Sequence, residues 1–262
     1  MGDLKKRVVT AVVIGPIIIS LFYVLPLFPF FLFIFLVGVL AALESTKIST
    51  PKMRAAILTF SVFSFFFLYF KRYESFLLWI LFSNCIFIIF AVLEKKASYS
   101  PFEILKTVVI NLFIILFVIF PLYSIYALKE LKEIYPLVLL FTVWTSDILA
   151  YFVGKTFGRM KLCPAISPGK TFEGLGGAVM GSTAVFLVLS RTTGFELISA
   201  TVVGIFLGLL GQIGDLFESI IKRFLGIKDS SEIFPGHGGI LDRMDSFIFT
   251  APFLYKILSL RS

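Results

Sequence analysis

The sequence predicts an all-α fold, a polytopic integral membrane protein built as one helical bundle of about nine transmembrane helices. Of its 262 residues, 58% are hydrophobic and 15% are charged, and the mean hydropathy is +1.00. Soluble domains carry roughly 25% charged residues, and a helix needs about 20 apolar residues to cross a bilayer. Repeated apolar runs near that length therefore indicate a membrane-spanning chain.

Nine apolar runs define the predicted spans, in the order 8–25, 28–43, 55–70, 76–93, 104–126, 136–153, 174–190, 197–213 and 246–260. The eighth run is expected to continue as an amphipathic helix to about Phe224, because Leu216, Ile220 and Phe224 recur at helical spacing. The basic start and first run resemble a signal peptide. That run is longer than a typical signal core and no small-residue cleavage site follows it, so we expect an uncleaved first helix.

The distribution of basic residues predicts the topology. With the N-terminus in the cytoplasm and the sides alternating, the inside loops contain 17 of the 24 Lys and Arg residues and the outside loops contain 7. Cytoplasmic loops of membrane proteins carry such an excess. We therefore expect an odd number of spans, a cytoplasmic N-terminus and cytoplasmic positions for both charge-rich loops of the second half.

The two halves of the chain differ in character. Residues 1–135 have charges only at span ends and are predicted to be scaffold helices, whereas residues 136–262 combine charge, glycine and proline and are predicted to be the catalytic part of the same bundle. The net charge of +8 lies in short loops without a basic domain, which argues against nucleic-acid binding. Cys85 and Cys163 are expected to be unpaired.

Asp147 is the first polar feature of the second half, near the end of the sixth span. An ionisable residue inside a span costs about 2.5–3.5 kcal/mol on insertion scales. A buried partner such as Lys155 or Lys170 would account for it, and so would a substrate or ion site. We favour the site.

The loop 154–177 carries four basic residues flanked by glycines. Ser167, Lys170 and Thr171 lead into the next helix, and backbone N–H groups at a helix start, with a lysine and a hydroxyl, suit phosphate oxygens. The Gly-Lys-Thr triplet is similar to a P-loop, but Pro164 stands where that motif needs glycine and we expect no strand before it. We favour phosphate contact over an ordinary positive-inside loop.

The stretch 211–245 holds six acidic residues and the only histidine. A Gly-rich loop separates Asp215 from Asp242, so folding can bring both carboxylates to one hard cation such as Mg²⁺. His237 has no Cys or second His near it, which argues against zinc; a hydrogen bond that orders the loop is at least as good an account as proton transfer. The glycines before Asp215 favour close helix packing within the chain, with homodimerisation as the alternative.

These residues resemble the signature of the phosphatidate cytidylyltransferases, the CDP-diacylglycerol synthases. The matching residues of the stretch 211–245 are Ser219, Lys222, Arg223, Lys228, Asp229, Ser231, Phe234, Pro235, His237, Gly238, Gly239, Asp242, Arg243 and Asp245. A second block is similar at Asp147, Tyr151, Gly154, Gly158, Ser167, Pro168, Lys170, Thr171, Glu173, Gly174 and Gly177. The first ~140 residues match only in being hydrophobic spans.

The resemblance implies that CTP and phosphatidate react to give CDP-diacylglycerol and pyrophosphate at the cytoplasmic face of the cell (inner) membrane. It implies Mg²⁺ as the cofactor, with Mn²⁺ as an alternative and a second cation as an addition. The expected partners are CTP, phosphatidate and membrane lipids, without nucleic acid, and a homodimer stays open.

The expected site follows from the same resemblance. Asp215 and Asp242 are expected to hold Mg²⁺ against the CTP phosphates, with Asp245 and Asp147 nearby as further ligands or as groups that support the ligands. The expected catalytic residues are Asp215, Asp242, Lys222, Arg223 and Arg243. The residues expected to bind substrate or phosphate are Lys170, Ser167, Thr171, Ser219, Lys228, His237 and Asp147.

Three other functions are alternatives to this one. A transporter of a phosphorylated solute would usually show inverted repeats, which the sequence lacks. A CDP-alcohol phosphotransferase would carry an Asp-Gly-x-x-Ala-Arg motif, which is absent. A CTP-dependent polyprenol kinase is the nearest alternative in chemistry, but it would lack the pattern found at 219–245.

Overall fold

The computed structural model describes residues 2–47, 50–93, 100–226 and 239–261, which form an all-α membrane protein. The helices of the first half are α1 (Gly2–Val24), α2 (Leu27–Ser45), α3 (Pro51–Tyr69), α4 (Tyr73–Leu93), α5 (Pro101–Phe113) and α6 (Phe120–Leu131). Those of the second half are α7 (Tyr135–Phe157), α8 (Phe172–Val188), α9 (Ser190–Thr193), α10 (Leu197–Phe224) and α11 (Phe247–Ser259).

Five helical segments of the described chain are long and apolar enough to cross a membrane: α2, α3, α7, α10 and the continuous stretch Pro101–Leu131. Shorter apolar segments lie in α1, α4, α8 and α11. Together they follow the order of the nine predicted spans. The predicted extension of the eighth span is also confirmed, because α10 continues to Phe224.

The fifth span is not a uniform helix. A π-helical segment, Ile114–Ile119, joins α5 to α6. Pro121 follows it in the first turn of α6, where it lacks an N–H and its ring would clash with a carbonyl in a regular helix. The wider π turn accommodates that proline. α6 then passes through the centre of the bundle, where it packs against α2, α7 and α11.

A two-stranded antiparallel sheet stands between α7 and α8. Strand β1 (Lys161–Cys163) pairs with β2 (Ser167–Thr171), so that Lys161 faces Thr171 and Cys163 faces Ser167. The expectation that no strand precedes the Gly-Lys-Thr triplet was therefore wrong. The triplet itself lies in β2, whereas a P-loop presents it in a loop after the strand, so the P-loop remains excluded.

Glycines set the spacing of α7, α8 and α10. A Cβ at Gly204 would lie 2.6 Å from the Thr183 Cα on α8, and one at Gly181 would lie 2.8 Å from the Thr145 carbonyl on α7. The Ser182 hydroxyl donates to the Gly204 carbonyl (2.8 Å) across the same contact. The glycine face of α10 therefore packs within the chain, as favoured from the sequence.

The division at residue 135 stays a prediction. α6, from the first part, packs against α7 and α11 of the second.

Candidate active site

Charged side chains from four parts of the chain converge at one end of the bundle, where α10 ends and α11 begins. They come from α7, from the end of β2, from α10, and from the short turn 239–245 that includes a 3₁₀ helix (Leu241–Arg243). The carboxylates are Asp147, Asp215, Glu218, Asp242 and Asp245, and the cations are Lys170, Lys222 and Arg243.

Lys222 joins α10 to the turn 239–245. Its Nζ lies 2.7 Å from the Glu218 Oε2 and 2.9 Å from the Asp242 Oδ1. Glu218 and Lys222 face each other because they are four residues apart on a helix. The Glu218 side chain is 0% exposed and that of Lys222 is 14% exposed, so this ion pair lies largely out of water.

Lys170 joins the hairpin to α10. Its Nζ lies 2.6 Å from the Asp215 Oδ2 and also donates to the Gln212 carbonyl (3.2 Å). Thr171, the next residue, is the N-cap of α8, and its hydroxyl accepts a hydrogen bond from the Gly174 N–H (3.0 Å). The cap fixes where β2 ends and thereby where Lys170 points.

The start of α11 holds two further carboxylates. The Ser246 backbone N–H donates to the Asp245 Oδ1 (2.7 Å), and its hydroxyl lies 3.2 Å from both carboxylate oxygens of Asp147. Ser246 therefore ties α7 to the turn before α11. Asp147 has this hydroxyl as its hydrogen-bond partner, whereas Lys155 lies further along α7 beside the Tyr151 hydroxyl.

Three carboxylates form a group that fits a metal ion. One oxygen each of Asp215, Glu218 and Asp245 lies within 4.8 Å of the other two. The buried Glu218 Oε1 accepts no hydrogen bond from the described residues. Hard divalent cations take carboxylate oxygens.

The charges of the site also favour a bound cation. Among the described residues, five carboxylates face three cations, which leaves two negative charges when all are ionised. Burial raises the pKa of Asp245 well above its usual range, and the neighbouring Asp215, Glu218 and Asp147 carboxylates raise it further. One divalent cation would balance the excess charge and favour the ionised form of Asp245.

The structure brings most of the predicted residues together, but Glu218 takes the place expected for Asp242 among the three carboxylates. Asp242 lies outside the three-carboxylate group: Lys222 occupies its Oδ1, and its Oδ2 accepts from the Gly239 N–H (2.7 Å). Glu218 stands in the group instead. Glu218 was not predicted as a site residue, although its spacing from Asp215 and Lys222 puts all three on one face of α10.

Other predicted residues lie at the edge of this site or outside the description. Arg223 is exposed in the last turn of α10, and Ser219 is half-buried on the same helix. Ser167 begins β2, at the far end of the strand from Lys170 and Thr171. The predictions for Lys228 and His237 fall outside the described residues.

Two residues were missed because their roles depend on distant parts of the chain. Ser246 contacts Asp147 across 99 positions, and Glu44 on α2 contacts the backbone of the turn 239–245 across 196 positions or more. No local sequence signal indicates either contact.

Comparison with known proteins identifies the family. A model described as the cytidylyltransferase family matches residues 5–261. The chain is 48% identical over 128 residues to the phosphatidate cytidylyltransferase of Bacillus subtilis (strain 168), across 46% of this chain and 45% of that protein. It is 43% identical over 125 residues to the protein of that name from Aquifex aeolicus (strain VF5), across 47% of each chain. The chain thus spans about half the length of the curated relatives it matches. Because the family model covers nearly all of it, this chain belongs to the cytidylyltransferase family.

Proposed function

We propose that this protein is a phosphatidate cytidylyltransferase, which joins CTP to phosphatidate and releases pyrophosphate. The observation that carries the proposal is the carboxylate group of Asp215, Glu218 and Asp245 beside Lys170 and Lys222 in a membrane protein of this family. The relatives reported above are named phosphatidate cytidylyltransferase, and this chain aligns with about half of the length of each.

The reaction itself needs little acid–base chemistry. An oxygen of the phosphatidate phosphate attacks the α-phosphorus of CTP, a new P–O bond forms, and the bond to the oxygen bridging the α- and β-phosphates breaks. Pyrophosphate leaves with that electron pair. The attacking phosphate is already ionised, so the main obstacle is the approach of two anions.

The residues of the site address that obstacle. Carboxylates hold Lys170 and Lys222 in place, so the protein itself orients their positive charges towards the site. Preorganised charge of this kind stabilises negative charge on transferring phosphoryl groups. A divalent cation held by Asp215, Glu218 and Asp245 would supply further stabilisation of that charge.

We propose that the cation is Mg²⁺, with Mn²⁺ as the alternative. Mg²⁺ commonly binds through one or two carboxylates together with substrate phosphates, and a site that also holds lysines leaves room for such phosphates. A second cation near Asp147 or Asp242 stays part of the proposal. In this proposal Asp242 holds Lys222 in position. It would become a cation ligand if bound phosphates drew Lys222 away from it.

We place the site at the cytoplasmic face of the cell membrane. The excess of basic residues predicted for that face supports this orientation. The same end of the bundle has exposed Tyr151, Phe157 and Phe172 close in the chain to exposed Lys155 and Lys161. Aromatic and basic side chains together are typical of a membrane–water interface, where a lipid and a soluble nucleotide can meet.

The test is a labelling assay with purified protein in detergent. CTP labelled at the α-phosphate should transfer its label to phosphatidate, with one pyrophosphate released per labelled lipid. CTP labelled at the γ-phosphate should give no labelled lipid. Transfer of the γ-label would instead identify a lipid kinase, and an absence of any lipid product would reject the proposal.

Site variants complete the assay. Asp215→Asn and Glu218→Gln should lower turnover by more than about a hundredfold, because each removes a charged group of the proposed metal site. Glu74→Gln is the matched control, since Glu74 is an exposed carboxylate in the first turn of α4. Normal turnover of folded Asp215→Asn and Glu218→Gln would contradict the assignment of the metal site.

A further inference from the structure

Helix α2 ends with a buried carboxylate that the reaction does not use. Glu44 is 4% exposed and lies in the last turn of α2. A negative charge at that position meets the negative end of the helix dipole, and burial adds a desolvation cost. Such a residue needs strong hydrogen-bond donors close by.

The donors come from the turn 239–245. The Ile240 N–H donates to the Glu44 Oε1 (3.1 Å), and the Leu241 N–H donates to its Oε2 (3.0 Å). The two N–H groups lie at the start of the short 3₁₀ helix Leu241–Arg243. Both carboxylate oxygens of Glu44 are thus engaged by backbone groups, and hydrogen bonds to an ionised acceptor are about twice as strong as neutral ones.

This contact acts on a backbone that carries metal-site residues. Asp242 follows directly after Leu241, and Asp245 lies three residues further. The turn is short and also closed by the hydrogen bond from the Gly239 N–H to Asp242, so a shift at Ile240 would move the whole turn. Asp245 is the one member of the three-carboxylate group that is not on α10.

We propose that Glu44 is a positioning residue for the metal site: it fixes the turn 239–245 so that Asp245 completes the carboxylate group with Asp215 and Glu218. This inference rests on the proposed function, because the metal site is part of that proposal. A helix of the predicted scaffold half would then control the geometry of the catalytic half. Glu44 itself touches neither substrate nor cation in this assignment.

The test measures metal binding directly, with Mn²⁺ as the probe and electron paramagnetic resonance of the free ion as the readout. In Glu44→Gln, one oxygen acceptor becomes an NH₂ group that faces a backbone N–H. We expect the Mn²⁺ dissociation constant to rise roughly tenfold, as expected when one hydrogen bond to a charged group is lost. Glu44→Asp keeps the charge but is one methylene shorter, so its Mn²⁺ dissociation constant should lie between those of the wild type and Glu44→Gln.

Two controls define the scale of the effect. Asp215→Asn removes a ligand and should weaken Mn²⁺ binding more than Glu44→Gln does. Glu74→Gln removes an exposed carboxylate from α4 and should bind Mn²⁺ like the wild type. Circular dichroism and thermal melting establish that each variant is folded at the temperature of the binding measurement.

The outcomes separate positioning from plain stabilisation. A folded Glu44→Gln protein with a lower melting temperature but wild-type Mn²⁺ affinity would overturn the inference. Should that variant not purify as folded protein, Glu44→Asp decides by the same criterion. A wild type that binds Mn²⁺ but makes no CDP-diacylglycerol, with weaker binding in Glu44→Gln, would reject the proposed function while the inference stands.

Discussion

Lys222 shows how much of the site depends on single side chains. It is the cation shared by Glu218 and Asp242, and its own side chain is largely buried. If Lys222 were removed, Glu218 and Asp242 would lose the cation that they share, in a poorly solvated place. That situation is more costly than the loss of an exposed ion pair.

We therefore expect Lys222→Met to lower the free energy of unfolding of the metal-free protein by about 3–5 kcal/mol and to abolish turnover. Lys256→Met is the matched control, because Lys256 is exposed on α11. Thermal melting in detergent without divalent cations is the measurement. A Lys222→Met protein as stable as the control would show that the buried pair contributes little.

We expect Asp245 to make cation binding at the site depend on pH. Its pKa is raised well above the usual range by burial and by the neighbouring carboxylates, so below that pKa the side chain of the metal-free protein carries a proton. A cation must displace this proton, and metal binding of that kind weakens as the pH falls. The apparent Mn²⁺ affinity should thus rise with pH, by up to about tenfold per pH unit, until the raised pKa is passed.

Titrations of Mn²⁺ at several pH values check this expectation. In Asp245→Asn the affinity should be lower and its pH dependence flatter, because the displaced proton is gone. An unchanged slope in that variant would assign the dependence to another group.

The sequence predicted the site residue by residue only where spacing along one helix was enough. Asp215 and Lys222 lie on one face of α10 because their separation is close to two helical turns, which can be predicted from the sequence. The pairing of Lys170 with Asp215 and that of Ser246 with Asp147 depend on how separate elements pack. Nothing in a single sequence fixes those distances.

At the scale of elements, the hairpin between α7 and α8 was the feature that the sequence did not reveal. Its strands are three and five residues long, and the proline and glycine within β2 argue against a strand. The hairpin nevertheless sets the position of Lys170. Close backbone contact explains three of the glycines around it, namely Gly158, Gly174 and Gly177.

Gly158 has the least room for a side chain among these glycines. A Cβ there would meet the Gly154 carbonyl and lie 2.8 Å from the Thr171 Cγ2, whereas a Cβ at Gly169 would have no atom within 4 Å. Gly158→Ala should therefore displace the hairpin, separate Lys170 from Asp215 and reduce turnover at least tenfold, with a loss of about 1–3 kcal/mol in stability. Gly169→Ala should behave like the wild type; equal activity of the two variants would contradict this account.

Two glycines of α10 offer a second matched pair. A Cβ at Gly214 would run into the Asp245 carbonyl, whereas one at Gly211 would lie 3.8 Å from the nearest side-chain atom, an ordinary contact. Gly214→Ala should push the turn 239–245 away from α10 and weaken Mn²⁺ binding at least tenfold. Gly211→Ala should bind Mn²⁺ normally and be slightly more stable, because alanine favours the helix. A wild-type Mn²⁺ affinity in Gly214→Ala would show that the turn can make room for the methyl group without loss of the metal site.

For the whole molecule, composition and hydropathy were sufficient to predict an all-α membrane bundle and the order of its apolar segments. They could not predict the π segment before Pro121, nor that α6 would lie at the centre of the packing. These features result from the packing of helices that look alike in sequence. The scaffold role of the first half stays a prediction, and Glu44 of α2 contacts the turn of the proposed site.

The orientation of the bundle can be measured with cysteines. In a Cys85→Ala background, Cys163 of the hairpin should react with a membrane-impermeant maleimide only from the cytoplasmic side. In a chain without either native cysteine (Cys85→Ala and Cys163→Ala), Arg72→Cys, exposed between α3 and α4, should react only from the opposite side. Labelling of intact cells against inverted vesicles distinguishes the two, and the reverse pattern would overturn the predicted topology.

The three-carboxylate group has a consequence for the bundle as a whole. Two of its members lie on α10 and the third lies in the turn that leads into α11, so an ion bound there would act as a reversible cross-link between the last two long helices. A ligand that binds only the folded state stabilises it in proportion to the logarithm of its concentration. The melting temperature should then rise with the concentration of free divalent cation, which would make the ionic conditions of the cell a determinant of how firmly the end of the chain is held.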